Sequence, residues 1–353
     1  MRRGPWRPYS PYWPCAIRWR LRPSTSTIRT RVAFSITCRT LHRSAVSGTH
    51  SPTPLASAAP TGPCCSVSSA DAGRVVAAAQ TWIDGTPGDT LQLPDRAFAY
   101  GDGVFETMLL RDGQPVLASL HFDRLAAGLA CLRMPEALPL ARRHLDTVLD
   151  SLRAAKGYAA LRLTVSRGTG PRGYAPPQVA APRVVISVSE TAYDPSVFPE
   201  PARLGETQVR WGKQPQLAGV KHLNRLEQVL AAADALDAGV DEVLMLDQSG
   251  APLSVSSGNL FLVAGKRLLT PTLLDAGIAG TRRRLLLDHL ASACGLQAAE
   301  SRLQLHQLLA ANEVFYCNAL TGLRPVGVFR DRNWSLHPVT RCLHAAYCEW
   351  LQR

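Results

Sequence analysis

Short blocks of this chain alternate apolar and polar residues with the two-residue period of half-buried strands, and the segments between them follow a helical period. Residues 81–85 read as a strand running into a turn at Gly85. The apolar runs 108–110 and 115–117 flank Arg111, Asp112 and Gly113, a hairpin signal. Ser119 is placed to cap a helix running through Leu125, and a second helix follows Leu138, with Leu145, Val148, Leu149 and Leu152 on one face. Residues 161–166 alternate as a strand with Arg162 between apolar neighbours, and residues 183–188 form another. Strands are predicted again at 242–246, 252–255, 260–263, 267–269 and 312–317, and a helix carrying Leu343 and Trp350 closes the chain. Pro195 and Pro199 mark residues 190–200 as a linker. The pattern predicts an α/β (α+β) protein of two domains, a smaller one over 75–189 and a larger one over 201–353 with a strongly twisted sheet.

The stretch 217–228 stands out. Lys221 follows a flexible apolar lead-in, and Leu223, Leu226, Val229, Leu230 and Ala233 recur after it at helical spacing, which predicts a helix start with the lysine stem buried. Burial and a nearby cation lower a lysine pKa and make the amine a usable nucleophile and base. Most lysines simply lay their stems along the surface with the ammonium in water. Other residues change that balance. Gly280, Thr281 and Arg282 come directly before a helix with Leu285, Leu286, Leu287 and Leu290, and free amides at such a start cradle an anion. Arg167 and Arg172 lie on the glycine-rich loop 167–174, where guanidinium forks suit carboxylates, although a solvated surface loop fits the same residues. Gly101 and Gly103 permit a positive φ or a close backbone approach.

With 353 residues, 46% of them hydrophobic and 19% charged, the chain can bury a substantial core. No apolar run approaches the roughly 18 residues that span a bilayer, so no membrane partner is expected. The net charge of +12 resembles a nucleic-acid signal until it is located. Residues 1–74 hold eleven arginines against the single acid Asp71, which leaves the remainder close to neutral and gives it no electrostatic case for nucleic acid. Three readings fit those first 74 residues: an organellar targeting segment, a disordered basic arm able to bind RNA, or an extension ahead of a true start near Val75 or Val76. In each case they are excluded from the fold. Nine cysteines, four of them in that segment and none in Cys-x-x-Cys spacing, suggest neither a disulfide framework nor a zinc site. A reducing, cytoplasmic location is expected, or an organellar one if the first segment is a transit peptide.

A lysine with a buried stem, an anion cradle and a carboxylate-binding loop together suit pyridoxal 5′-phosphate, whose aldehyde needs an amine and whose phosphate needs an anchor. On residues 95–107, 167–174, 217–228 and the Asn318-Ala319-Leu320 turn, the chain resembles the fold-type IV pyridoxal-phosphate enzymes, the group that includes branched-chain and D-amino-acid aminotransferases. The run from Lys221 through His222, Leu223, Asn224, Arg225, Leu226, Glu227 and Gln228 is most similar to the aminodeoxychorismate lyase branch.

The resemblance implies a small α/β domain beside a larger pseudo-barrel and a homodimer with the cofactor near the subunit interface. It implies that Lys221 carries the cofactor and that Arg124, Thr281 and the amide of Arg282 hold its phosphate. Asn259 and Asn318 would line it, Arg167 and Arg172 would bind substrate carboxylates, and Tyr100 and Thr107 would line the pocket, Tyr100 serving equally well as core packing. Most of the family has a glutamate five residues before the Asn-Leu-Phe triplet, where it keeps the pyridine nitrogen protonated. Here that position is Ser254, which can hydrogen-bond the nitrogen but cannot hold it as a cation. The implied reaction converts 4-amino-4-deoxychorismate to 4-aminobenzoate and pyruvate. Ser254 favours it over transamination, because aromatisation supplies its own driving force. An aminotransferase, an inactive fold-mate that only binds the vitamin, and an RNA-binding protein are the alternatives.

Overall fold

A computed structural model describes residues 79–352, so the basic segment and the start near Val75 lie outside the described residues. The first sheet has six antiparallel strands: β1 (Gln80–Ile83), β2 (Thr86–Pro87), β3 (Gly103–Arg111), β4 (Gln114–Pro115), β5 (Tyr158–Ser166) and β6 (Arg183–Glu190), in the order β2-β1-β6-β5-β3-β4. The short helix α1 (Arg96–Tyr100) precedes β3, and α2 (Ala118–Cys131) and α3 (Ala137–Ser151) cover one face. Their Leu125, Leu129, Leu145 and Val148 close on Met108, Leu161, Leu163 and Ile186 to make the first core. Strand alternation predicts these contacts. The expected Ser119 cap does not form: α2 starts at Ala118 behind Leu117, which has a left-handed backbone and no side-chain cap.

The second sheet has nine strands: β7 (Ala202–Trp211), β8 (Glu242–Asp247), β9 (Pro252–Val255), β10 (Asn259–Ala264), β11 (Arg267–Pro271), β12 (Gln297–Ser301), β13 (Glu313–Asn318), β14 (Gly322–Phe329) and β15 (Arg332–Asn333). Six of them, β10, β13, β14, β7, β8 and β9, return on themselves, because β9 pairs with β8 and also with β10. The closing pair is Asn259 opposite Ser254. The barrel is filled by Leu244, Leu246, Val255, Leu260, Leu262, Val314 and Phe329.

Helix α4 (Leu226–Asp237) packs on β7 and β8 through Ala231 and Ala235. A continuous helical run follows the second hairpin: α5 (Thr281–Leu285), a π turn at Leu286–Leu290 and α6 (Ala291–Ala293). It meets α8 (Pro338–Leu351) in a core with Phe261 and Phe315, and α7 (Leu305–Ala310) closes the barrel end. Cys294 and Cys342 are joined by a disulfide that ties α6 to α8, a pairing across 48 residues that spacing alone does not reveal. Among the described residues no helix is long and apolar enough to cross a membrane.

The lysine helix differs from its expected form. It begins at Leu226, with residues 221–225 outside it, and its apolar stripe faces outward: Leu226 is 76% exposed, Val229 60% and Leu230 57%.

Candidate active site

Lys221 is enclosed for a different reason. Its segment is held on both sides by backbone hydrogen bonds, which fix a chain that no helix supports. Toward the first sheet, Phe105 N donates to Lys221 O and Leu223 N to Gly103 O, each at 3.0 Å. Toward the second, Gly219 N donates to Gly277 O at 2.9 Å and Ala279 N to Gly219 O at 3.0 Å. The glycine pair before β3 makes this docking possible. Gly101 has φ 62°, and a Cβ there would strike Asn224, whose Nδ2 donates to Gly101 O at 3.1 Å. A Cβ on Gly103 would lie 2.5 Å from Val165 O.

The lysine therefore opens into a cavity of about 420 Å³, lined by residues of both sheets. Its amine sits 4.3 Å from the centre of the Phe105 ring. Burial lowers the Lys221 pKa to about 7, and Arg124, Arg225 and Arg162 push the same way against Glu106. The amine is thus neutral over much of the physiological range, the state a nucleophile or base requires.

Arg124, Thr281, Arg282, Ser254, Asn259, Asn318 and Thr107 line the same cavity. Arg124 is held by Glu106, which accepts from its Nε at 2.8 Å and also from Nη2, while Nη1 reaches Ala279 O at 3.0 Å. Behind it runs a buried relay. His121 Nδ1 lies 2.7 Å from Glu106, its Nε2 accepts from Arg282 Nη1 at 3.0 Å, and Arg282 Nε donates to the Tyr347 hydroxyl. Burial lowers the His121 pKa to about 4, so the ring is neutral and can donate on one side and accept on the other. Burial alone would raise the Glu106 carboxyl, but Arg124 and His121 bring it down to about 2.

At the helical start, the first amides of residues 281–283 have no partner within the helix. Gly280 precedes them with φ −66°, an ordinary value, so its need for glycine is spatial. A Cβ there would lie 2.0 Å from Asn259 Oδ1, while Asn259 Nδ2 donates to Ile278 O at 2.8 Å. Gly280→Ala is expected to displace Asn259 or the turn at a cost of about 1–3 kcal/mol, weakening cofactor binding roughly 5- to 150-fold in an equilibrium titration. Asn318 shapes the opposite wall, its Oδ1 accepting from Leu320 N, Thr321 N and Thr321 Oγ1.

Three residues with expected substrate roles are not brought to this cavity. Arg167 is consumed by Asp102, with contacts of 2.8 and 3.1 Å, and by Leu132 O at 2.8 Å. Tyr100 OH accepts from Gly173 N, and Arg172 is exposed on the same loop. Arg96 holds that loop outward by donating to the carbonyls of Gly173, Tyr174 and Ala175. Sequence reasoning missed Glu106, His121, Phe105, Trp211 and Arg162. His121 and Arg124 are three residues apart on one helix, but only the packing of that helix brings both to Glu106.

Residues 103–328 match the amino-transferase class IV family. The chain belongs to this family. It is 36% identical over 246 residues to an aminodeoxychorismate lyase of Vibrio harveyi, covering 69% of this chain and 89% of the relative. Among solved structures, the 4-amino-4-deoxychorismate lyase of Pseudomonas aeruginosa superposes with a TM-score of 0.71 at 38% identity, covering 76% of this chain and 98% of that one. A hypothetical aminotransferase of Mycobacterium tuberculosis in its PLP-bound form shares the fold, with a TM-score of 0.65, 21% identity and coverage of 77% and 97%.

Class IV enzymes depend on pyridoxal phosphate, and the residues present fit it. The Lys221 amine, its pKa lowered to about 7, lines the cavity. The same cavity offers the amides of the helix start, Arg124 and a glycine that leaves no room for a side chain. The Arg282 Nη2 is buried without a protein partner. Among the described residues no cluster could hold a metal ion.

Proposed function

We propose that the protein is a pyridoxal-phosphate-dependent lyase that converts 4-amino-4-deoxychorismate to 4-aminobenzoate and pyruvate, a step of folate formation. The observation that carries this reading is the Lys221 amine, its pKa lowered by burial to about 7, sharing one cavity with an anion cradle, in a chain more than a third identical to lyases of that name. The bound cofactor supplies an aldehyde for the substrate's amine and a ring that draws electrons from the amine-bearing carbon. Lys221 takes the proton from that carbon as base. The ether bond on the neighbouring carbon then breaks, the leaving enolpyruvate takes up a proton to become pyruvate, and the substrate ring becomes aromatic. Arg124, Thr281 and the Arg282 amide hold the phosphate, and Asn259 and Asn318 set the walls.

With Arg167 committed to Asp102, Arg162 is the better candidate for a substrate carboxylate. It stands opposite Thr107 in the β3–β5 ladder, so both face the same way, and its guanidinium lies 3.9 Å from the centre of the Phe105 ring that also carries the Lys221 amine. Partial burial of the guanidinium lowers its pKa, while the residue as a whole stays exposed beside the cavity residue Thr107. Arg162→Gln is expected to raise KM on the order of ten- to a hundredfold with a smaller change in kcat, read from initial rates.

We further propose a homodimer. The outward apolar stripe of α4 and the exposed loop bearing Arg172 and Tyr174 support it. A cytoplasmic location is part of the same proposal. The test is an assay of the full chain with substrate made by a coupled synthase. Equal amounts of 4-aminobenzoate and pyruvate are expected; conversion of the cofactor to its amine form by amino acids, with no 4-aminobenzoate, would instead make it an aminotransferase.

A further inference from the structure

Ser254 is buried in β9 at the seam that closes the barrel, and it lines the cavity with Lys221. Its hydroxyl has one protein partner: Trp211, at the end of β7, donates its indole Nε1–H to Ser254 Oγ at 2.9 Å. An indole can only donate, so the serine oxygen serves it as acceptor. The serine proton is left to be given away, and among the described residues no protein acceptor takes it. A hydroxyl fixed in this way presents a donor to the cavity.

The charges around it point the same way. The carboxylates lining the cavity are Asp241 and Glu242, and neither is free. Glu242 accepts from the amides of Val243, Ser256 and Ser257 and from the hydroxyls of Ser256 and Ser257. Asp241 accepts from Arg203 N at 2.8 Å and from Arg324 Nη2 at 2.9 Å. Glu106, behind Arg124, is taken by Arg124 and His121. Against these stand Arg124, Arg225, Arg282 and Arg324 on the cavity wall, Arg124 and Arg324 already paired with Glu106 and Asp241. Arg225 lies 5.6 Å from the centre of the Trp211 ring, and its Nε and Nη1 are buried without partners. Burial also lowers its pKa to about 10, against the opposing pull of Glu227. A pyridinium in this cavity would find no lining carboxylate free to pair with it, since Asp241 and Glu242 are both engaged.

We infer that the protein binds pyridoxal phosphate with its ring nitrogen unprotonated, as acceptor of the Ser254 hydroxyl, with Trp211 as the positioning residue that fixes that hydroxyl as donor. The inference rests on the cofactor reading above and deepens it. A neutral pyridine withdraws electrons less than a pyridinium, so the site suits an elimination that gains aromaticity and disfavours proton return to the cofactor carbon, the step that makes an aminotransferase.

The test is solid-state 15N NMR of the full-length protein reconstituted with cofactor labelled at the ring nitrogen, without substrate. An unprotonated, hydrogen-bonded pyridine resonance that stays constant across the neutral pH range is expected. Ser254→Ala should move it toward the free pyridine position, Trp211→Phe part of the way, and Ser254→Glu to the pyridinium position. A pyridinium resonance in the unaltered protein, or no response to Ser254→Ala, overturns the inference while leaving the cofactor reading intact. Failure to retain any label overturns both.

Discussion

Replacing Lys221 with alanine is expected to leave a folded protein that loses 4-aminobenzoate formation by about 10²- to 10⁴-fold from the missing proton transfer alone. The loss of the covalent anchor adds to this, and pyridoxal phosphate no longer stays with the protein through gel filtration. The side chain makes no ion pair and lies over Phe105, so its removal leaves no buried charge behind. The pH dependence has a definite sign. Because burial lowers the amine pKa to about 7, the apoprotein should take up the cofactor slowly below that pH and reach a plateau above it. An unperturbed lysine would still be accelerating near pH 10. Stopped-flow absorbance against pH separates the two.

Glu106→Ala is expected to be the most destabilising single change at the site. Glu106 side-chain exposure is 1%, and its removal strands Arg124 and takes the acceptor from His121. Breaking such a buried pair from one side costs about 3–5 kcal/mol, to be read from denaturant unfolding. Cofactor affinity should fall as well, because Arg124 loses the contacts that aim it. The linkage follows from the depressed pKa of about 2. The stabilisation is fully present above the ordinary carboxyl range and drains away as pH falls toward 2, and the variant should lack that part of the acid dependence. Glu106→Gln preserves the shape and should recover part of the stability with little of the affinity.

The lysine stretch was legible because so many constraints meet in it, yet the physical reason differs from the one its pattern suggests. Leu226, Val229 and Leu230 have the spacing of a core stripe and face outward, while the small Ala231 and Ala235 make the contact with the barrel. Periodicity identifies a face without saying what covers it. Lys221 is enclosed by hydrogen bonds to Gly103, Phe105 and Gly277, which join segments more than fifty residues apart. The anion cradle was readable from Gly280 and Thr281, since it is local. The Glu106–His121–Arg282 relay was not, because each residue alone looks like a surface polar group and only the packing of α2 against α5 unites them. Arg167 and Tyr100 are engaged outside this cavity for the converse reason: a glycine-rich loop with arginines looks open, but Asp102 takes Arg167 and the Tyr100 hydroxyl accepts from Gly173 N. Strands β7 and β12 escaped because residues 202–211 and 297–301 mix charged and apolar positions without a clean alternation.

Every role assigned to this cavity depends on the cofactor being fixed through the Lys221 side chain. Reducing the purified full-length protein with borohydride, digesting it and weighing the peptides tests this directly. The account predicts the mass of the reduced cofactor on the peptide that contains Lys221 and on no other. An unmodified Lys221 peptide, or the added mass on a different lysine, would contradict it.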